Sequence, residues 1–416
     1  MSTTTLVETD DVHTSSRPKS SHAAFTSIPI LDLSLLDSLA GKRQFLSQLR
    51  EALVVVGFFY FSNIDRWLPP SVQHTFVSKA KELCNLPLEK KLEIDMMNSK
   101  HFLGYSQMGK ERTAREVDYR EMFDFLSPVP APGPDEPVYM NVQGPNQQWP
   151  DEKEVQGFRH ALETYLAAVG KLGETMTILV AEALDLEATA LMRFFGSPPR
   201  NKVSLLKYPE PPVAPPDDDD DDDFQGVGSH KDGGFLTYLL QATPHHGLEA
   251  QNKSGIWIPV PPIPNTLVVN VGRSLESITG GVCTATTHRV NLSARKFLDG
   301  NGYPLGPRFS FPVFQTLKMD LTSEEMASLK LPKHIRDLAA DGERVDSDAE
   351  AYFEKYHLES PGVGIFTARL TSHPEVGRRW YPGIVEEILK GQAEFATCDS
   401  FSGESACWRK PVCKTK

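Results

Sequence analysis

The chain has 416 residues, is 40% hydrophobic and 24% charged, and carries a formal net charge of −12 at pH 7. These values describe an ordinary globular protein with room for a large core. The acidic balance argues against nucleic acid or an anionic membrane surface as a partner, and no apolar stretch reaches the length of a transmembrane helix.

Residues 1–25 read as a disordered polar arm, rich in Ser, Thr and Asp and lacking the apolar centre of a secretory leader. Ser27 to Leu33 alternates and then caps, which predicts a short strand entering a helix that runs through Phe45 and Leu53. Gly57 opens the aromatic run Phe58-Phe59-Tyr60-Phe61, a β-rich segment. Pro87 and Glu89 to Leu92 mark another helix boundary. The Pro- and Gly-rich stretch 127–150 reads as loop.

Val155, Phe158, Leu162, Tyr165, Val169, Leu172, Met176 and Leu179 follow at gaps of three and four, an apolar helical stripe. It includes bulky aromatics and lacks regular flanking charge pairs, so a single long helix laid against a sheet fits better than a coiled coil.

After Pro199 the texture changes to short β runs: Val203–Tyr208, Phe235–Leu240, Leu248–Gln251, Ile256–Val260, Leu267–Val271, Cys283–Val290 and Phe309–Phe314. Many short strands at regular spacing favour a sandwich or jelly roll. Seven consecutive aspartates, Asp217 to Asp223, read as a solvated insert rather than a cation trap. Helices return around Glu324–Leu329, Asp346–Tyr356 and Trp380–Leu389. The chain thus divides into an arm (1–25), a mostly helical region (26–198), a β core (199–316), C-terminal helices (317–390) and a tail (391–416). Five cysteines, Cys84, Cys283, Cys398, Cys407 and Cys413, form no CxxC pair. That pattern suits a reducing, cytoplasmic setting.

Chemistry concentrates at His230 and Asp232, within Gly228-Ser229-His230-Lys231-Asp232-Gly233-Gly234, and at His288. On a regular strand the i, i+2 pair shares one face, and a sheet can bring His288 opposite. Two imidazoles and a carboxylate are the ligand set of a mononuclear iron(II) site with an open face, and suit it better than copper(I) or structural zinc. Taken alone the short motif is weak, and three unrelated polar residues would read the same way. Downstream, Arg308 and Ser310 are again i, i+2. A guanidinium forks a carboxylate and a hydroxyl can complete the clamp. The apolar neighbours Phe309, Phe311, Val313 and Phe314 make Arg308 at least partly buried, where it needs an anion. Tyr208 can offer a phenol to that anion, or be a half-buried strand tyrosine.

These segments, in order, resemble the isopenicillin-N-synthase-like family of iron(II)/2-oxoglutarate-dependent dioxygenases. The likeness rests on Gly228 to Thr237, Gly247 to Gln251, Trp257 to Pro262, Val269 to Gly272, Thr279 to Gly281, Thr287 to Val290 and Arg308 to Ser310. Ile28 to Asp32, Gly57 to Tyr60, Gly104-Tyr105 and Glu121 to Asp124 extend it to roughly residues 26–316. Details such as Gln241-Ala242-Thr243 with His245-His246 look like a fungal branch. The resemblance implies an α+β protein, mainly β: a double-stranded β-helix (jelly roll) flanked by helices. It also implies iron at His230, Asp232 and His288, with the distal carboxylate of 2-oxoglutarate on Arg308 and Ser310, assisted by Tyr208. O2 and 2-oxoglutarate would then be consumed to oxidise a small molecule of secondary metabolism, by hydroxylation, desaturation or ring formation. A monomer or homodimer is expected.

Two departures stand out. The His288-to-Arg308 spacing is long, from an insert near Leu298–Gly306, and Arg273 stands where many relatives carry an acid. Two rivals share the scaffold: an oxidase in which Arg308 and Ser310 hold a substrate carboxylate, and a non-catalytic binding protein. Of the remaining residues, His245 and His246 read as surface turn residues. Cys283 reads as a buried strand residue. Phe235 and Leu236 are expected to border the pocket, and His101 either to line it or to pack.

Overall fold

A computed structural model describes residues 24–113, 116–211, 224–338 and 360–399, the last eight by backbone alone. Most of the expected arm, the aspartate run, the helix expected over Asp346–Tyr356 and the end of the tail lie outside them.

The chain enters through β1 (Ile30–Asp32), a 3₁₀ turn and α1 (Leu39–Glu51), then a π-helical turn into β2 (Phe58–Ser62). Helices α2 (Pro70–Cys84) and α3 (Leu88–Leu92) follow, α3 starting just after Pro87 as expected. Next come β3 (Gly104–Ser106), the short β4 (Arg112–Thr113) and β5 (Glu116–Val117), and β6 (Glu121–Leu126). The predicted long helix is α4 (Phe158–Ala183); it carries seven of the eight stripe residues, all buried, and Val155, also buried, lies in the turn before it.

The β-rich part comprises β7 (Arg200–Tyr208), β8 (Phe224–His230), β9 (Leu236–Gln241), β10 (Leu248–Gln251), β11 (Trp257–Pro259) and β12 (Leu267–Val271). Helix α5 (Arg273–Ile278), β13 (His288–Leu292) and β14 (Arg308–Thr316) complete it. The short α6 (Ser323–Met326) and α7 (Lys333–Arg336) precede three C-terminal helices, α8 (Pro361–Ser372), α9 (Pro374–Trp380) and α10 (Pro382–Asp399). The last helix expected from the sequence starts two residues later, at Pro382, and Trp380 instead closes the helix before it, because proline cannot continue the preceding turn.

The strands form a larger sheet, β1-β2-β12-β9-β14-β7-β6-β3, and a smaller one, β11-β10-β13-β8. This is the expected jelly roll, with four strands from the N-terminal region extending the larger sheet. The period-two pattern explains how one sheet serves two environments. Phe59, Phe61, Val203, Leu205, Leu236, Tyr238, Leu240, Phe309, Phe311 and Val313 join the core that holds α1, α2 and α4. Their alternates Phe58, Tyr60, Leu206, Tyr208 and Leu239 belong to a second apolar cluster with Val227, Leu248 and Val290 of the smaller sheet. Phe366, Leu370, Tyr381 and Val385 of the C-terminal segment seal that cluster.

Two strand expectations need correction. Cys283 is buried but lies in the connection before β13, whose pairing begins only at His288. There Thr284 and Thr286 instead donate their hydroxyls to the carbonyls of Val54 and Val56. Strand β8 escaped the sequence reading because its glycines dilute the apolar signal. No described helix is long and apolar enough to cross a membrane.

Candidate metal centre

Strand β8 ends at His230, so Asp232 lies in the turn beyond it rather than on the same strand. The turn is shaped by close backbone approaches. A Cβ on Gly234 would sit 2.7 Å from the Gln315 carbonyl oxygen, and one on Gly272 would sit 2.1 Å from the Gly234 oxygen. Glycine alone fits both positions. The Arg273 amide donates to the Asp232 carbonyl at 2.7 Å, pinning the turn to the start of α5. His288 opens β13 and pairs directly with His230 across the smaller sheet.

The three side chains converge. His230 Nε2 and His288 Nε2 lie 3.6 and 3.9 Å from Asp232 Oδ1, and one ligand atom from each residue falls within 4.8 Å of the others. Three ligands on one octahedral face stand roughly 3 Å apart, so this spacing fits a single shared ion. The imidazoles are also oriented. Nδ1 of His230 faces the Gly228 carbonyl at 2.8 Å and Nδ1 of His288 faces the Thr286 carbonyl at 3.1 Å. A carbonyl there requires the proton on Nδ1, which leaves each Nε2 lone pair free for a metal.

Asp232 is held just as closely. Thr237 Oγ1 and Asn270 Nδ2 donate to its Oδ2 at 2.6 and 2.8 Å, so Oδ1 is the oxygen left facing the imidazoles. Burial alone would raise its pKa, but the neighbouring His288 and His230 and those two donors outweigh it, and the carboxyl titrates below its usual range. Phe58 packs edge-on against His288, ring centroids 5.2 Å apart. Thr237 and Asn270 were not singled out from the sequence. An asparagine inside the apolar run Leu267–Val271 was the available signal.

A cavity of about 790 Å³ opens beside the triad, between the larger sheet and α8–α9. Arg308, Ser310 and Tyr208 line it, and Arg308 pairs directly with Tyr208 across β14 and β7. Arg308 is buried more deeply than expected, at 2% exposure, and its guanidinium lies 4.7 Å from the Tyr208 ring centroid. Its Nη1 has no hydrogen-bond partner. Among the described residues no carboxylate forms an ion pair with it, and burial lowers its pKa. A buried cation in that state is a receptor for an anion. Sequence reading missed Arg120, whose Nη1 reaches the Tyr208 hydroxyl at 3.5 Å while Glu111 and Asp118 neutralise it at 2.7 and 3.3 Å.

Other expectations fare differently. Phe235 and Leu236 lie in the helix-facing core and do not border the cavity: Leu236 has the opposite parity to the inward Thr237 and Leu239, and Phe235 precedes the strand. His101 packs, with Nδ1 against the Asn141 carbonyl, outside the cavity lining. His246 is exposed, but His245 is buried: its Nε2 holds the Gly306 carbonyl at 2.9 Å and its ring packs on Phe297. The insert near Leu298–Gly306 is thus latched from below by a residue assigned to the surface.

Comparison with known proteins gives the family. One family model, described as the N-terminal part of non-haem dioxygenases in morphine synthesis, matches residues 28–152. Another, the 2OG-Fe(II) oxygenase superfamily, matches residues 200–315. A 2-oxoglutarate-dependent dioxygenase of Gibberella zeae is 43% identical over 375 residues, covering 90% of this chain and 96% of that protein. The 2-oxoglutarate-dependent dioxygenase frbJ of a Dothideomycetidae species is 41% identical, covering 89% and 97%. Among solved structures, a full-length Neurospora crassa protein in complex with alpha-KG and thymine shares the fold at TM-score 0.57 and 22% identity, covering 77% of this chain and 92% of that one. The chain therefore belongs to the iron(II)- and 2-oxoglutarate-dependent dioxygenases, oxidoreductases that draw on O2.

Proposed function

We propose that His230, Asp232 and His288 hold the iron(II), and that Arg308 and Ser310, with Tyr208 behind them, hold the distal carboxylate of 2-oxoglutarate. The convergence of three oriented ligand atoms within 4.8 Å carries this reading. When bound, iron(II) with 2-oxoglutarate supplies O2 activation, coupling decarboxylation to succinate and CO2 with removal of hydrogen from a substrate C–H bond.

The protein's own part is positioning. The Gly228 and Thr286 carbonyls fix both imidazole tautomers, and Thr237 and Asn270 fix the carboxylate rotamer. Arg308 supplies the buried positive charge that orients a dicarboxylate end-on, while the apolar walls and α8–α9 exclude water. Which substrate carbon faces the metal then decides between hydroxylation, desaturation and ring closure.

We assign the substrate to small organic molecules of secondary metabolism: the cavity of about 790 Å³ takes a molecule of that size, and the Neurospora crassa protein of this fold is in complex with thymine. Within this reading residues 26–198 and 199–316 are the helical and catalytic regions and 317–390 the covering helices. The enzyme is cytoplasmic, a monomer or homodimer, with no nucleic-acid or membrane partner; the net charge of −12 supports the last point.

The test is iron content, then O2 uptake and succinate release on adding 2-oxoglutarate, with Asp232→Ala as the control. Asp232→Ala should stay folded and lose turnover; retained turnover refutes the ligand assignment. Substrate oxidation without succinate would instead favour the oxidase of the same fold.

A further inference from the structure

The cavity has a second charged end that the iron and 2-oxoglutarate assignments leave unused. Strands β7 and β14 run antiparallel, and their inward positions line one wall of the cavity. On β7 these are Tyr208, Leu206, Ser204, Lys202 and Arg200, a strict i, i+2 series. Arg308 and Tyr208 mark one end. Lys202 and Arg200 mark the other, opposite Phe314 and Thr316.

Arg369 of α8 reaches the same place. Its Nη2 and Lys202 Nζ share a single carboxylate, Asp124 Oδ2, at 2.6 and 2.9 Å. Asp124 is fully buried, and Ser204 donates its hydroxyl to it as well. Arg200 has no carboxylate partner among the described residues. Its guanidinium meets only Thr316 Oγ1 at 3.2 Å and the Val142 carbonyl at 2.6 Å. The next carboxylate, Glu111, is engaged by Arg120 at 2.7 Å. With Arg120 and its second carboxylate, Asp118, counted, four cations meet three carboxylates at this end, one cation in excess. Burial first, and then repulsion from Arg369, bring Arg200 down to about 9 and Lys202 down to about 8. Buried cations in such excess are costly unless an anion joins them.

The placement suits a substrate. Thr237, which holds Asp232, pairs with Phe314, and Phe314 pairs with Lys202. Lys202 is thus two strands away, roughly 10 Å. A small molecule anchored there can present a carbon to the triad while Arg308, at the far end of the wall, stays free for the co-substrate.

We propose that Arg200, Lys202 and Arg369 form the substrate-anchoring subsite, and that the substrate is a small acid bound through a carboxylate. This rests on the functional reading above and narrows its substrate class. Arg200 and Arg369 provide forked donors, and Lys202 a point charge between them. The C–H bond oxidised lies on the part of the acid remote from its carboxylate.

Enzyme loaded anaerobically with iron(II) and saturating 2-oxoglutarate, which blocks the Arg308 end, is titrated calorimetrically. The probes are straight-chain carboxylates from hexanoate to dodecanoate, each beside its neutral amide. Failure of the loading step itself sinks the functional reading and is seen before any probe is added. The expected result is a carboxylate that binds roughly tenfold or more tightly than its amide. Arg200→Gln and Arg369→Gln should each erase that preference while iron and 2-oxoglutarate bind as before. Arg369→Gln, which leaves Lys202 to pair with Asp124, carries the test should Arg200→Gln fail to fold. Equal binding of acids and amides, no binding of either, or a preference that survives in the folded variants overturns the subsite.

Discussion

Replacing Thr237 by Val tests how the triad is held. The change keeps side-chain shape and removes one of the two hydrogen bonds on Asp232 Oδ2, the 2.6 Å contact, leaving Asn270 at 2.8 Å. A hydrogen bond to a charged group contributes about 1.5–3 kcal/mol. At about 1.4 kcal/mol per decade that is roughly 10- to 150-fold in affinity, in line with the ~10–100-fold cost of losing an outer hydrogen bond at a metal site. Thr237 is 2% exposed, so the lost donor is replaced by water only at the cost of ordering it in the cavity. Anaerobic calorimetric titration with iron(II) measures the affinity, and thermal melting of the metal-free protein separates any general loss of stability. Asn270→Leu should behave alike, and the double variant should show coupling, because both donors serve one oxygen. An iron(II) affinity within about twofold of the parent would falsify the claim that this oxygen's partners hold a metal ligand in place.

Arg308→Gln should raise the KM for 2-oxoglutarate by roughly a hundredfold and leave iron affinity unchanged, since a charged, forked contact is lost; succinate-release kinetics with an iron titration decide it. His245 should make stability depend on pH. Burial pushes its pKa down to about 4, below the unfolded value near 6.5. The unfolded chain therefore binds the extra proton between those values, and stability is full above about 6.5 and falls as pH drops toward 4. The loss is on the order of 2 kcal/mol, somewhat under the full shift because nearby solvent screens part of it, and melting curves of His245→Gln across that range should be flatter than the parent's. Phe311→Ala, fully buried against Phe76, should destabilise by about 3–5 kcal/mol in denaturant titrations. Iron binding per folded molecule should be unaffected.

What the sequence revealed and what it hid follow one physical rule. Features set by neighbours along the chain were legible: the α4 stripe, the alternation of β14, and the local pairs His230/Asp232 and Arg308/Ser310. The distant His288 was legible only through its β-compatible setting and the ordered set of motifs. Features set by pairing between strands were not. Thr237 and Asn270 meet Asp232 because β9 and β12 are neighbours. Arg200, Lys202 and Arg369 gather only once β7 is laid beside β6 and α8 covers them. His245 misled because a Pro-His-His-Gly turn looks solvent-exposed until the insert ending at Gly306 folds over it.

Odd and even positions of β14 have separate tasks. Phe309, Phe311 and Val313 face the helices, whereas Arg308, Ser310, Pro312, Phe314 and Thr316 face the cavity. A library randomised at Pro312, Phe314 and Thr316 there and at Lys202, Ser204 and Leu206 on β7, sparing Arg308, Ser310 and Tyr208, should yield well-folded catalysts with altered appetites, and one randomised at the odd numbers should yield mostly aggregates. Divergence within such enzymes can thus proceed in steps of two residues, exchanging what is oxidised while the scaffold keeps its melting point.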